Sequence, residues 1–169
     1  MEMRKLLTIL LCAAACVATA ADRRAPGFSL VDSKAVEHDL ADYRGKPVLL
    51  AFIQTTCPHC ATFAEKLQQA QEKYGSRIAV LAVVTPPDDG GKVANFIAGH
   101  KIGFPILFDS GQMSYSYVLS QNLSFPKLYI IDGAGMIQAD HEYSPLTYDI
   151  FEGNGLGPAI DRLLAAAKK

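Results

Sequence analysis

The chain of 169 residues has no tryptophan, no heptad or glycine period, no internal repeat and almost no net charge, its 16 basic and 17 acidic residues leaving −1. The missing repeats exclude fibres and solenoids. Near-neutrality leaves no basic surface large enough to coat nucleic acid. Long apolar runs are missing too: Leu6 to Val17, interrupted only by Thr8, falls short of the roughly 20 residues that a membrane span needs. Cysteine is scarce, with four residues in two close pairs, Cys12/Cys16 and Cys57/Cys60, whereas a disulfide-stapled miniprotein spreads its cysteines along a short chain. With 50% hydrophobic residues, the fold must stand on an ordinary core.

The short apolar run has a meaning of its own. Arg4 and Lys5 precede it and Ala18-Thr19-Ala20 follows, the layout of a cleaved export signal, so residues 1–20 are expected to be removed and 21–169 to form one domain. Ala13-Ala14-Ala15-Cys16 also loosely resembles a bacterial lipoprotein box, which would attach lipid to Cys16 and tether the chain to a membrane. Removal leaves 14 basic and 16 acidic residues, a net charge of −2, and two cysteines. Export, periplasmic or otherwise, places that pair in an oxidising compartment.

Apolar runs without alternation at Val48 to Ile53, Ile78 to Val84 and Leu128 to Ile131 predict strands at the centre of a sheet. Cys60, Phe63, Leu67, Ala70 and Tyr74 recur at helical spacing with polar residues between them, which predicts a helix ending at Gly75. Val48 to Val84 is thus a strand, helix, strand crossover with parallel strands. Helices are further expected over Val93 to His100, Met113 to Leu119 and Pro158 to Ala167, and a short strand at Ile106 to Phe108. A hairpin should turn at Asp132 to Gly135 into Met136 to Tyr143, and Ser144 to Gly157 reads as loop with at most one helical turn. The fold class is α/β.

Cys57-Pro58-His59-Cys60 joins the first strand to the first helix. Cys57 falls at the helix N-terminus, where unpaired N–H groups and the macrodipole favour a thiolate, while Cys60 falls on the buried stripe. One thiol is placed to attack and the other to resolve a mixed disulfide. Pro58 suits the first helical position, and His59 can tune Cys57 by charge or hydrogen bonding. A single C-x-x-C is too few ligands for structural zinc, so no metal is expected. His38, His100 and His141 lack patterned partners and read as surface or loop residues.

A strand ending in C-x-x-C that opens a helix, followed downstream by Phe125-Pro126 before a strand and hairpin, resembles the thioredoxin fold. Ala25-Pro26-Gly27-Phe28-Ser29-Leu30 and Leu40 to Leu50, with Arg44-Gly45-Lys46, look like the signatures of TlpA/ResA-type exported thiol–disulfide oxidoreductases. These belong to the redoxin branch shared with the alkyl hydroperoxide reductase/thiol-specific antioxidant (AhpC/TSA) family, and the likeness spans residues 25–143. It implies a thioredoxin-like domain with a central mixed sheet flanked by helices, an N-terminal extension and an insert before the hairpin. It implies a cis peptide at Pro126, which with Phe125 would receive substrate backbone; Pro105 is not the counterpart. No separate cofactor is implied, the Cys57–Cys60 disulfide being the redox group. The partners implied are cysteine-containing exported proteins and a redox partner protein.

Departures from the family accompany the likeness. Thr56 stands where tryptophan is common, Ala51 where thioredoxin has a buried acid, and Phe63 where ResA-like proteins often carry glutamate; Glu65 is no obvious substitute. Pro58-His59 is the dipeptide of the strongly oxidising DsbA proteins, whereas the framework is that of reductants, so the direction of electron flow stays open. Two other functions compete. A peroxiredoxin-like peroxidase would need P-x-x-x-T-x-x-C, but Gln54 and Cys57 occupy the threonine position relative to Cys57 and Cys60. A copper carrier would use Cys57, Cys60 and a distant histidine such as His141, although carriers of this fold use C-x-x-x-C.

Overall fold

The computed structural model describes residues 23–118 and 124–167. The expected export signal, Cys12 and Cys16 lie outside the described residues, as does Leu119 at the end of one expected helix. A six-stranded mixed sheet runs in the order β1 (Arg23–Arg24), β8 (Met136–Glu142), β7 (Lys127–Ile131), β4 (Val48–Phe52), β5 (Ala79–Val84), β6 (Ile106–Phe108). The strands β4, β5 and β6 are parallel, and β7, β8 and β1 continue antiparallel. A separate hairpin, β2 (Ser29–Val31) and β3 (Glu37–Asp39), leans on the β6 edge through an isolated bridge between Asp32 and Leu107.

Strands β4, β5 and β7 are buried along their whole length because both sheet faces are covered. Leu49, Ala51, Val80, Ala82, Leu128 and Ile130 face one core with Phe63, Leu67 and Ile160 from the helices. Val48, Leu50, Phe52, Leu81, Val83 and Tyr129 face the other, closed by Phe28, Leu40, Met113 and Tyr117. The first core holds α1 (Pro58–Tyr74), α2 (Gly90–His100) and α4 (Leu156–Ala166), while the N-terminal extension supplies part of the second.

The crossover β4–α1–β5 matches the expectation from its periodicity, and Gly75 caps α1 with φ +56. The helix expected at Met113 to Leu119 is present over its described residues and takes π-helical form at Ser114–Val118, turned so that Tyr117 reaches the core and donates to the Pro26 carbonyl at 2.6 Å. Within the region expected as loop, α3 (Tyr148–Phe151) forms a single turn, and α4 starts two residues before Pro158, at Leu156. Among the described residues no helix is long and apolar enough to cross a membrane.

Candidate active site

Strand β4 ends at Phe52, and the chain passes through Gln54-Thr55-Thr56 to Cys57, which is the N-cap of α1 with Pro58 as its first helical residue. An N-cap side chain normally accepts a hydrogen bond from an orphan N–H of the first turn. Here the sulfur does so: Cys57 Sγ accepts from the backbone N–H of Cys60 at 3.3 Å. Cys57 is half-buried, and Pro58 and His59 are exposed. Cys60, one turn on, is 0% exposed among Phe63, Ala64 and Leu67. Burial pushes the Cys60 thiol well up, and its hydrogen bond with Cys57 and the charges of Cys57 and Asp88 add to this. Both sulfurs are free, so the structure describes the dithiol.

Phe125-Pro126 comes in from the start of β7. The peptide is cis, and the Phe125 carbonyl oxygen lies 3.9 Å from Cys57 Sγ. Pro126 is buried and Phe125 half-buried, packed against both cores. Pro105 lies elsewhere, receiving the Ala82 N–H on its carbonyl before β6. Cys57, Pro58, His59, Cys60, Phe125 and Pro126 therefore meet at one end of the sheet.

Three residues complete the surroundings that sequence reasoning missed. Asp88 follows β5 and accepts from Thr55 at both the backbone N (2.9 Å) and the hydroxyl (2.5 Å), tying the approach to Cys57. One signal for it was available, since loops at the carboxyl ends of neighbouring parallel strands share one edge of the sheet. Tyr143, just after β8, stacks on the His59 ring with centroids 4.4 Å apart, and its N–H donates to the Pro126 carbonyl. Glu152, after α3, sits 2.6 Å from His59 Nδ1 and accepts from the Tyr143 hydroxyl at 2.7 Å on the same oxygen. That bond raises the Tyr143 hydroxyl to about 12 and holds the Glu152 carboxyl below its usual range. No local pattern marks Glu152.

Of the remaining histidines, read from sequence as surface or loop residues, His100 lies at the surface, whereas His38 and His141 lie within strands and are more buried than expected. His38 is nearly buried in β3, bonded to Tyr43 at 2.6 Å and Asp32 at 3.2 Å. His100 ends α2 against Glu65 at 2.9 Å. His141 is part of β8 and lines a groove under α4, where burial lowers its pKa. Among the described residues no three histidine, cysteine or acidic side chains cluster to hold a metal ion.

A mixed sheet flanked by helices, with two free thiols opening the helix after its central strand and a cis-proline against the first thiol, defines a thioredoxin-fold thiol–disulfide oxidoreductase. The AhpC/TSA family profile matches residues 21–140, and the chain belongs to that family. It is 34% identical over 121 residues to the thioredoxin-like protein YneN of Bacillus subtilis, covering 70% of this chain and 69% of that one. It is 32% identical over 125 residues to the thiol-disulfide oxidoreductase ResA of Geobacillus kaustophilus, covering 72% and 68%. Among solved structures, a putative thiol:disulfide interchange protein DsbE from Chlorobium tepidum superposes with TM-score 0.72 at 26% identity, over 85% of this chain and 96% of that one. The exposed lipoprotein thioredoxin Etrx1 of Streptococcus pneumoniae gives 0.66 at 25% identity, over 82% and 100%.

Proposed function

We propose that this chain is an exported enzyme that exchanges disulfides with protein cysteines, with Cys57 attacking and Cys60 resolving. The observation that carries the reading is the asymmetry of the two sulfurs. Cys57 is reachable, and its sulfur receives an N–H at the helix N-terminus. Cys60 is enclosed and held protonated by burial. In the reducing direction the Cys57 thiolate attacks a substrate disulfide, forming a mixed disulfide and releasing one substrate thiolate. Cys60 then gives up its proton and attacks Cys57 sulfur, which releases the second substrate thiolate and leaves the Cys57–Cys60 disulfide. Two electrons pass to the substrate, and the reverse sequence oxidises a substrate dithiol.

The cis Phe125-Pro126 segment beside Cys57 is the surface on which a substrate backbone would lie, with Phe125 offering half-exposed apolar area. Partners are then extended cysteine-containing segments of exported proteins, and a separate redox protein restores the pair. Export is read from residues 1–20 and agrees with the exposed lipoprotein among the similar structures.

The test is capture. A Cys60→Ser chain expressed in full should accumulate mixed disulfides through Cys57 with exported proteins, and Cys57→Ser should accumulate none. Capture of small thiols alone would sink the reading. Equilibration of the wild-type pair with glutathione sets the direction: a potential near roughly −270 mV makes it a reductant and one near roughly −120 mV an oxidant.

A further inference from the structure

His59 is held from two sides by segments distant in sequence. Its ring lies on Tyr143 at an interplanar angle of 26°, and its Nδ1 meets Glu152 Oε1 at 2.6 Å. Glu152 is itself fixed. It directly follows Phe151, which is fully buried and edge-on to Phe63 of α1 with ring centroids 4.8 Å apart. Its carboxylate also receives the Tyr143 hydroxyl, and the Tyr143 backbone is tied to Pro126. The Glu152 side chain is 16% exposed, against 52% for His59. This is the arrangement by which a carboxylate orients a working imidazole: one ring nitrogen is bound, which sets the tautomer, and the other is left to take or give a proton.

We propose that Glu152 is a positioning residue for the thiol pair, binding the Nδ1 proton of His59, two residues after Cys57, and fixing the ring as a proton-accepting group whose cation stabilises the Cys57 thiolate. The inference rests on the reading of Cys57 as the attacking thiol. It gives the C-terminal segment a part in the chemistry that neither Ala51 nor Phe63, at the positions of the family's usual carboxylates, can play. The titratable groups around the pair are His59 in the same turn of α1 with Glu152 bonded to it, Tyr143 after β8, and Asp88 after β5. Of these carboxylates, Glu152 alone is bonded to the histidine of the Cys57-Pro58-His59-Cys60 segment. Its negative charge would by itself disfavour a thiolate, so the sign of its effect separates action through His59 from plain repulsion.

The experiment is a double-mutant cycle on the reduced full chain, read as the pH profile of Cys57 alkylation by iodoacetamide with the labelled site mapped by mass spectrometry. Glu152→Gln should slow alkylation at neutral pH by about threefold to tenfold and move the profile to higher pH. In a His59→Asn background the same substitution should have no slowing effect. If Glu152→Gln accelerates alkylation equally in both backgrounds, or changes it in neither, the proposal is overturned. Labelling at Cys60 in place of Cys57 would instead overturn the assignment of the attacking thiol. A second measurement needs no variant: imidazole nitrogen NMR shifts of the wild-type chain should show the His59 proton on Nδ1, and a neutral ring protonated at Nε2 with a bare Nδ1 would refute the geometry.

Discussion

Asp88 grips Thr55 with both carboxylate oxygens, 2.9 Å from the backbone nitrogen and 2.5 Å from the hydroxyl, across 33 positions of sequence. The clamp joins the loop after β5 to the loop after β4 two residues before Cys57, so the Cys57 sulfur is held by a contact between strand ends and not by α1 alone. Asp88→Ala removes both bonds and leaves a half-buried N–H without its carboxylate. The expected cost is about 1–3 kcal/mol, measured by urea denaturation of the reduced chain. An unchanged midpoint would show that water replaces the carboxylate there.

The two thiols should differ sharply towards alkylating agents. Cys60 is enclosed and its thiol is pushed up by burial, whereas Cys57 is reachable. In the native reduced chain at neutral pH, iodoacetamide should label Cys57 alone, and in concentrated urea both should react. Peptide mapping by mass spectrometry checks this, and comparable native labelling of Cys60 would contradict the enclosure.

Acid should weaken the docking of the β2–β3 hairpin. Burial alone would raise the Asp32 carboxyl, but the Val36 and Lys34 N–H groups at 2.9 and 2.8 Å, with His38, hold it below its ordinary value. A carboxyl depressed in the folded state adds stability above its unfolded pKa of about 3.9, and that contribution is lost as the pH falls through the folded value. Asp32→Asn should therefore be less stable than wild type at neutral pH, with the gap shrinking below about pH 4. Denaturation curves over a pH series would show it, and a gap that stays constant into acid would refute the linkage.

Phe151 anchors the segment that carries Glu152. Phe151→Ala empties a fully buried ring site packed on Phe63 and should cost about 3–5 kcal/mol in urea denaturation. A loss below about 1 kcal/mol would mean that α3 is only loosely docked.

Much of this was legible in the sequence. Unalternating apolar runs mark strands covered on both faces, and the helical stripe from Cys60 to Tyr74 lies between two of them, so the crossover and the place of Cys57 at a helix N-terminus follow from local spacing. The difference between the two thiols follows as well, since one sits at the cap and the other on the buried stripe. The hairpin turn at Asp132 to Gly135 was equally local. By contrast, the π form of the helix at Ser114–Val118 was not legible in the sequence, because the Tyr117 packing there involves Phe28, Phe52 and Tyr129 from distant segments.

What the sequence determined by itself was therefore the framework and the two sulfurs, because periodicity and capping act over a few residues. Only the tertiary structure decided what surrounds those sulfurs. Asp88 reaches Thr55 because parallel strands end at the same edge, and Glu152 and Tyr143 reach His59 because Phe151 is buried against α1 and Tyr143 is tied to Pro126. Contacts set by burial at a distance leave no local pattern, since the side chain that makes the bond is placed by a neighbour's packing and not by its own spacing.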